Sequence, residues 1–189
     1  MGPDMSESLL QRIDRIESHL AIQQLPARYA LAVDSRDIDT WLDLFVEDVD
    51  CGRHGKGREV LRQFIEPAVR NFYRSHHQLC GHVIDFVDED HATGKVYCRA
   101  EHEYRDQWIV MAICYFDQYE RRDGQWYFTS RNEQHWYATD ILERPLGPNA
   151  KRWDAWAKSE PRLPQRFPSW RPFWDRWESK NLGDLTKQP

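Results

Sequence analysis

The sequence predicts an α+β fold: a cone-shaped, curled antiparallel sheet capped by N-terminal helices and followed by a tail rich in tryptophan and proline. Three observations carry this expectation. Apolar residues recur at helical spacing as far as Tyr73, then at alternate positions, and from Glu143 onward without a period.

Residues 6–34 read as helix, with Leu9, Leu10, Ile13, Ile16, Leu20 and Leu25 at helical spacing. Pro26 is expected to interrupt it and start a second helix carrying Tyr29, Leu31, Ala32 and Val33. Asp37 to Phe45 reads as a short amphipathic helix. Residues 51–57, CGRHGKG, read as a glycine-rich turn, because no strand precedes them and no G-K-[ST] leads into a helix. Glu59 to Tyr73 reads as a further helix.

Four strands follow, at 80–88, 94–105, 108–121 and 125–137, separated by DEDHATG, RDQ and RRDG. Asp123-Gly124 is a hairpin signal, since both residues accept positive φ. Helices first and a meander afterwards put the helices on one sheet face, and a curled sheet so capped leaves a pocket between them. The domain is expected over 1–142 and the tail over 143–189. Trp153, Trp156, Trp170, Trp174 and Trp177 in the tail are costly to leave in water, so it is expected to wrap onto the body or a partner subunit.

Composition narrows the functions. A net charge of −5 disfavours nucleic acid as a partner. No apolar run approaches the ~18 residues that a membrane-spanning helix needs, so no membrane partner is expected. Cys51, Cys80, Cys98 and Cys114 form no C-x-x-C pair, and free thiols in a reducing cytoplasm are the expected reading. Nine Trp, eight Tyr and eight Phe exceed ordinary usage and suit a pocket for a flat apolar ligand.

The side chains suited to proton transfer are Tyr29, Asp34, His76, His77, His102, Arg131 and His135. Histidine exchanges protons near neutral pH, a carboxylate beside it fixes its tautomer, and Tyr or Arg can donate to a charge developing on a leaving group. His76 and His77 point to opposite sides of an extended strand, so one of them serves, and His77 is favoured. His76, His77, His82, Glu101, His102 and Glu103 lack zinc-type spacing, so no metal is expected.

Three stretches carry a family resemblance: RYALAVDSRDIDTWLDLFVED at 28–48, SHHQLCGHVIDF at 75–86 and FDQYERRDGQWYFTSRN at 116–132. With these the chain resembles, over about residues 10–142, the SnoaL-like branch of the nuclear-transport-factor-2-like superfamily. That branch includes scytalone dehydratase, hexachlorocyclohexane dehydrochlorinase and bile-acid 7α-dehydratase. The resemblance implies a metal-free and cofactor-free lyase. It makes His77 the general base, Asp34 its orienter and Arg131, five residues after Trp126, the group that helps the leaving group. It places Tyr29, five residues before Asp34, in the site, where the dehydrochlorinase has a lysine; chloride loss is therefore not implied. The dehydratase's acidic residue on the middle strand falls at Ala100, and His102 on the same strand face could replace it. A pocket arginine of that enzyme falls at His135, which with Trp41 and Tyr115 makes the expected set of substrate contacts.

The leading expectation is elimination of water, halide or, in a retro-aldol variant, formaldehyde from an aromatic or polycyclic small molecule such as a lignin-derived diaryl compound. The alternatives are an isomerase or cyclase of the same superfamily and a non-catalytic ligand-binding module. Superfamily members commonly pair through the open sheet face, so a homo-oligomer, dimer or trimer, is expected.

Overall fold

The computed structural model describes residues 8–151, 153 and 161–175. Helix α1 spans Leu9–Ser35 and opens with a capping box, in which Ser8 Oγ accepts from the Gln11 amide and Gln11 Oε1 accepts from the Ser8 amide. Pro26 does not interrupt it, contrary to the sequence expectation. The proline is fully buried between Leu25 and Ala30, also buried, so packing offsets the lost helical hydrogen bond. Helix α2 follows over Ile38–Asp43, with the Asp37 side chain accepting from the Thr40 amide. The glycine-rich segment forms a single tight turn at Gly52–His54, and α3 runs over Arg58–Val69.

Helix α3 ends four residues before Tyr73 because a sheet edge captures the chain there. The Tyr73 amide donates to the Glu103 carbonyl, and the Glu103 amide donates to the Arg74 carbonyl. Strand β1 accordingly spans Ser75–Phe86, five residues earlier than its expected start. Strands β2 (His91–Tyr104), β3 (Gln107–Arg122) and β4 (Gln125–Asp140) complete an antiparallel meander in the order β1-β2-β3-β4. Its β3–β4 turn has Asp123 at φ 50° and Gly124 at φ 77°.

Register shifts at Leu79/Gly81 in β1 and at Ala112/Ile113 and Gln118/Tyr119 against β4 increase the twist and curl the sheet without closing it. The helices fill the hollow face, burying Ile22, Val33, Trp41 and Phe45 against Ile109 and Phe128. Gly94 lets the sheet bend tightly across itself. A Cβ there would stand 2.8 Å from the Tyr119 ring and 3.0 Å from the His82 ring.

The C-terminal segment returns along β4. Lys151 bridges to Ala138, Pro161 bridges to His135, and the Leu163 amide donates to the His135 carbonyl. Phe167 packs on Phe116 and Trp136, on the sheet face away from the helices, and Trp170 packs on Trp136. Trp153 is buried on the helix side. Trp156 and Trp177 lie outside the described residues. All four cysteines are unpaired, and no helix among the described residues is long and apolar enough to cross a membrane.

Candidate active site

The early start of β1 places His77 in register with Ala100 of β2, on the hollow face, while His76 is exposed on the other. Asp34 reaches it from the last turn of α1. Its Oδ1 lies 2.7 Å from His77 Nδ1, and its Oδ2 accepts from the His77 amide at 2.9 Å. The Ser75 hydroxyl donates to Oδ1 at 2.7 Å. Burial alone would raise this carboxyl, but the His77 ring, the Ser75 hydroxyl and the His77 amide outweigh it and hold Asp34 at about 2.

Arg36 fastens this joint. It caps α1 in the left-handed conformation at φ 64° and donates to Ser75 Oγ and to the carbonyls of Val33, Phe72 and Tyr73. Helix end and strand start are thereby tied through one guanidinium. With Nδ1 committed to a carboxylate, Nε2 is the ring nitrogen left to act as base.

His77 lines a small, partly open cavity of about 50 Å3 together with Tyr29, His102, Tyr115, Glu133 and Trp153. The His102 ring meets that of His77 edge to face, 5.5 Å between centroids. Burial, with the nearby charge of His77 next in size, depresses His102 to about 3, so it stands neutral in the wall. Tyr29 is pushed well above the ordinary phenol range by burial and remains a proton donor.

Beyond Tyr29 and Tyr115 the cavity adjoins an open cleft of about 520 Å3, lined also by Trp41, Phe64 and Arg131. The Arg131 side chain is 3% exposed, its Nε 3.7 Å from Asp117 Oδ1. Its carbon Cζ lies 3.8 Å from the Tyr115 ring centre, 4.3 Å from that of Tyr29 and 4.9 Å from that of Phe128. Neither Nη has a hydrogen-bond partner among the described residues. The guanidinium is held by ring faces, with all three of its nitrogens buried. Burial pushes the Asp117 carboxyl up, against the pull of Arg131 and of the Tyr119 hydroxyl, which donates to it at 2.9 Å. His82 touches Tyr119 at 3.0 Å.

A larger groove of about 630 Å3 runs past Arg36, Arg70 and Tyr73 and shares Val69 and Phe72 with the cavity. No histidine lines it, whereas His77 and His102 line the smaller space.

Of the residues singled out in the sequence, the structure gathers Tyr29, Asp34, His77, His102 and Tyr115 at the cavity and Trp41 and Arg131 at the cleft. His135 is fully buried opposite Ile113 and lines neither space. Sequence reasoning missed Asp117, Glu133, Arg36 and Trp153. Asp117 was signalled by its place between Tyr115 and Tyr119 at alternate strand positions. Trp153 was signalled only as one of the tail tryptophans expected to wrap onto the body or a partner, not as a wall of this cavity. Among the described residues no group of three or more His, Cys, Asp or Glu side chains converges as a metal site would require.

The model of the SnoaL-like domain matches residues 14–132. Gamma-hexachlorocyclohexane dehydrochlorinase of Sphingobium indicum is 28% identical over 136 residues, 68% of this chain and 87% of that protein. The crystal structure of a hexachlorocyclohexane dehydrochlorinase from Novosphingobium barchaimii superposes with a TM-score of 0.64 at 26% identity, covering 70% of this chain and 96% of that one. A Novosphingobium aromaticivorans protein described as a scytalone dehydratase superposes with a TM-score of 0.61 at 26% identity, covering 70% and 93%. An α+β curled sheet, an inward His–Asp pair and a family match over most of the chain lead to one assignment: this protein belongs to the SnoaL-like domain family, within the nuclear-transport-factor-2-like superfamily.

Proposed function

We propose that the chain is a cofactor-independent lyase that eliminates a small group from a hydrophobic, aromatic or polycyclic compound. The observation that carries the reading is the Asp34–His77 pair at 2.7 Å, opening into an aromatic-walled cavity. The elimination relatives, a dehydrochlorinase and a dehydratase, support the reaction class.

In a dehydration, His77 Nε2 takes a proton from an sp3 carbon. The C–H electron pair becomes the π bond as the neighbouring C–O bond breaks, and the proton passes to the departing hydroxide, which leaves as water. Arg131 and Tyr29 donate hydrogen bonds to the oxygen as its charge develops, and a low-dielectric wall strengthens them. His102, neutral, fills the wall beside the base. A retro-aldol variant would use the same base on a hydroxyl proton: the C–C bond breaks as the C=O of formaldehyde forms, its electron pair passes to the other carbon, stabilised by an adjacent carbonyl of the substrate, and that carbon takes the proton back from His77.

The test is a mass-loss screen over aryl propanediols, hydroxylated steroids and chlorinated rings. A product lighter by water, hydrogen halide or formaldehyde is expected. A product of unchanged mass would make the protein an isomerase. Ligand binding without any product would make it a binding module.

A further inference from the structure

Trp153 forms part of the wall of the cavity around His77. This indole is 1% exposed and packs against Phe72 at 6.1 Å, Tyr104 at 5.7 Å and His102 at 5.1 Å between ring centres. It follows Lys151, which bridges to Ala138 of β4, and lies well past residue 132, where the family match ends.

Two spaces therefore adjoin: a chamber of about 50 Å3 with His77, and a cleft of about 520 Å3 with Arg131. Tyr29, Ile65, Ala68, Tyr115 and Glu133 line both. An apolar cavity of about 150 Å3 accepts a benzene ring. The chamber has roughly a third of that, so a six-membered ring does not fit beside His77, whereas the cleft has room for one.

We propose that Trp153 is a specificity-determining residue: it admits to His77 only a slender sp3 arm of the substrate, while the ring bearing that arm stays in the cleft beside Arg131. This rests on the elimination reading and narrows it to ring compounds whose acidic C–H lies on a short side arm. The electron and proton balance is that of the dehydration above. A substrate whose reacting C–H belongs to the ring itself, such as an alicyclic halide, needs its ring inside the chamber, where the indole takes up the room. The same indole keeps solvent from His102, which is 4% exposed.

The test compares full-length wild type, Trp153→Ala and Trp153→Phe in three measurements. The first is the ratio of kcat/KM for γ-hexachlorocyclohexane to that for an aryl propanediol. It should rise at least about tenfold in Trp153→Ala, the scale on which pocket volume discriminates, and less in Trp153→Phe. The second is benzene soaked into crystals, which should occupy the chamber in Trp153→Ala and not in wild type. The third is the His102 titration followed by NMR, which should move up towards the ordinary histidine value once the indole is gone.

His77→Ala serves as the control for the elimination reading alone, since it lowers turnover of every substrate while leaving the Trp153 wall in place. Turnover with an unchanged substrate ratio in Trp153→Ala would overturn the role of Trp153 and leave His77 standing. Absence of turnover in wild type would count against the lyase. In that case benzene excluded from the Trp153→Ala chamber, with an unmoved His102, would overturn the role of Trp153 as well. If Trp153→Ala does not fold, Trp153→Phe carries the same three measurements with smaller shifts.

Discussion

Each proton-handling group of the site is defined by what its neighbours deny it. Asp34 accepts three hydrogen bonds and stays ionised, so His77 is left with one ring nitrogen for chemistry. Removing either partner disables the same unit. His77→Ala should lower turnover about 10²–10⁴-fold, and Asp34→Asn in His77→Ala should add little, as losses within a unit do not add. Steady-state kinetics of the two single variants and the double variant check this; multiplicative losses would separate the two roles. A second expectation concerns acid. Burial holds His102 at about 3 and His82 at about 4, both below the ordinary 6.5. The unfolded chain binds these protons and the folded chain refuses them. Their stabilisation is thus full above 6.5 and is lost as pH falls towards 4 and 3. Asp34 adds its own loss only below its ordinary 3.8, towards 2. Melting temperature should drop between about pH 7.5 and about pH 4.5, and His102→Phe should shrink the drop; an equal drop in that variant would put the sensitivity elsewhere. The Asp34–His77 pair was legible in the sequence through the family motif. The Asp117–Arg131–Tyr115 stack was legible only in part, because sequence shows strand alternation but not which ring faces close on a guanidinium.

At the scale of elements, the sheet was readable and its joints were not. Four alternating runs and one Asp-Gly turn are local signals, and they yielded the number and order of strands. The start of β1 and the end of α3 depend on Glu103, some thirty residues away, capturing the backbone of Tyr73 and Arg74. Pro26 is likewise settled by burial rather than by local preference. Gly94 shows what the curl demands of one strand. Gly94→Ala places a methyl group against Tyr119 and His82 and should cost about 1–3 kcal/mol of stability. Urea denaturation checks it, and an unchanged midpoint would mean that Tyr119 swings aside freely.

Across the whole molecule, exposed apolar residues gather on α1 and β1. On α1, Leu9, Leu10, Ile16 and Leu20 stand at 57–78% exposure; Val83 of β1 stands at 60%, and Val87, just past its end, at 69%. Such surface is costly in water, and a dimer or trimer that covers it is the expected state. Light scattering at about tens of micromolar should give a multiple of 22.7 kDa, and the monomer mass would refute it. The place of Trp153 in the chain has a consequence for synthesis. Chains are made from the N-terminus at roughly 5–20 residues per second. Asp34, His77 and the whole of β4 therefore leave the ribosome before the indole that walls their cavity. A nascent chain can assemble its His–Asp pair and its sheet before Trp153 walls the cavity between them.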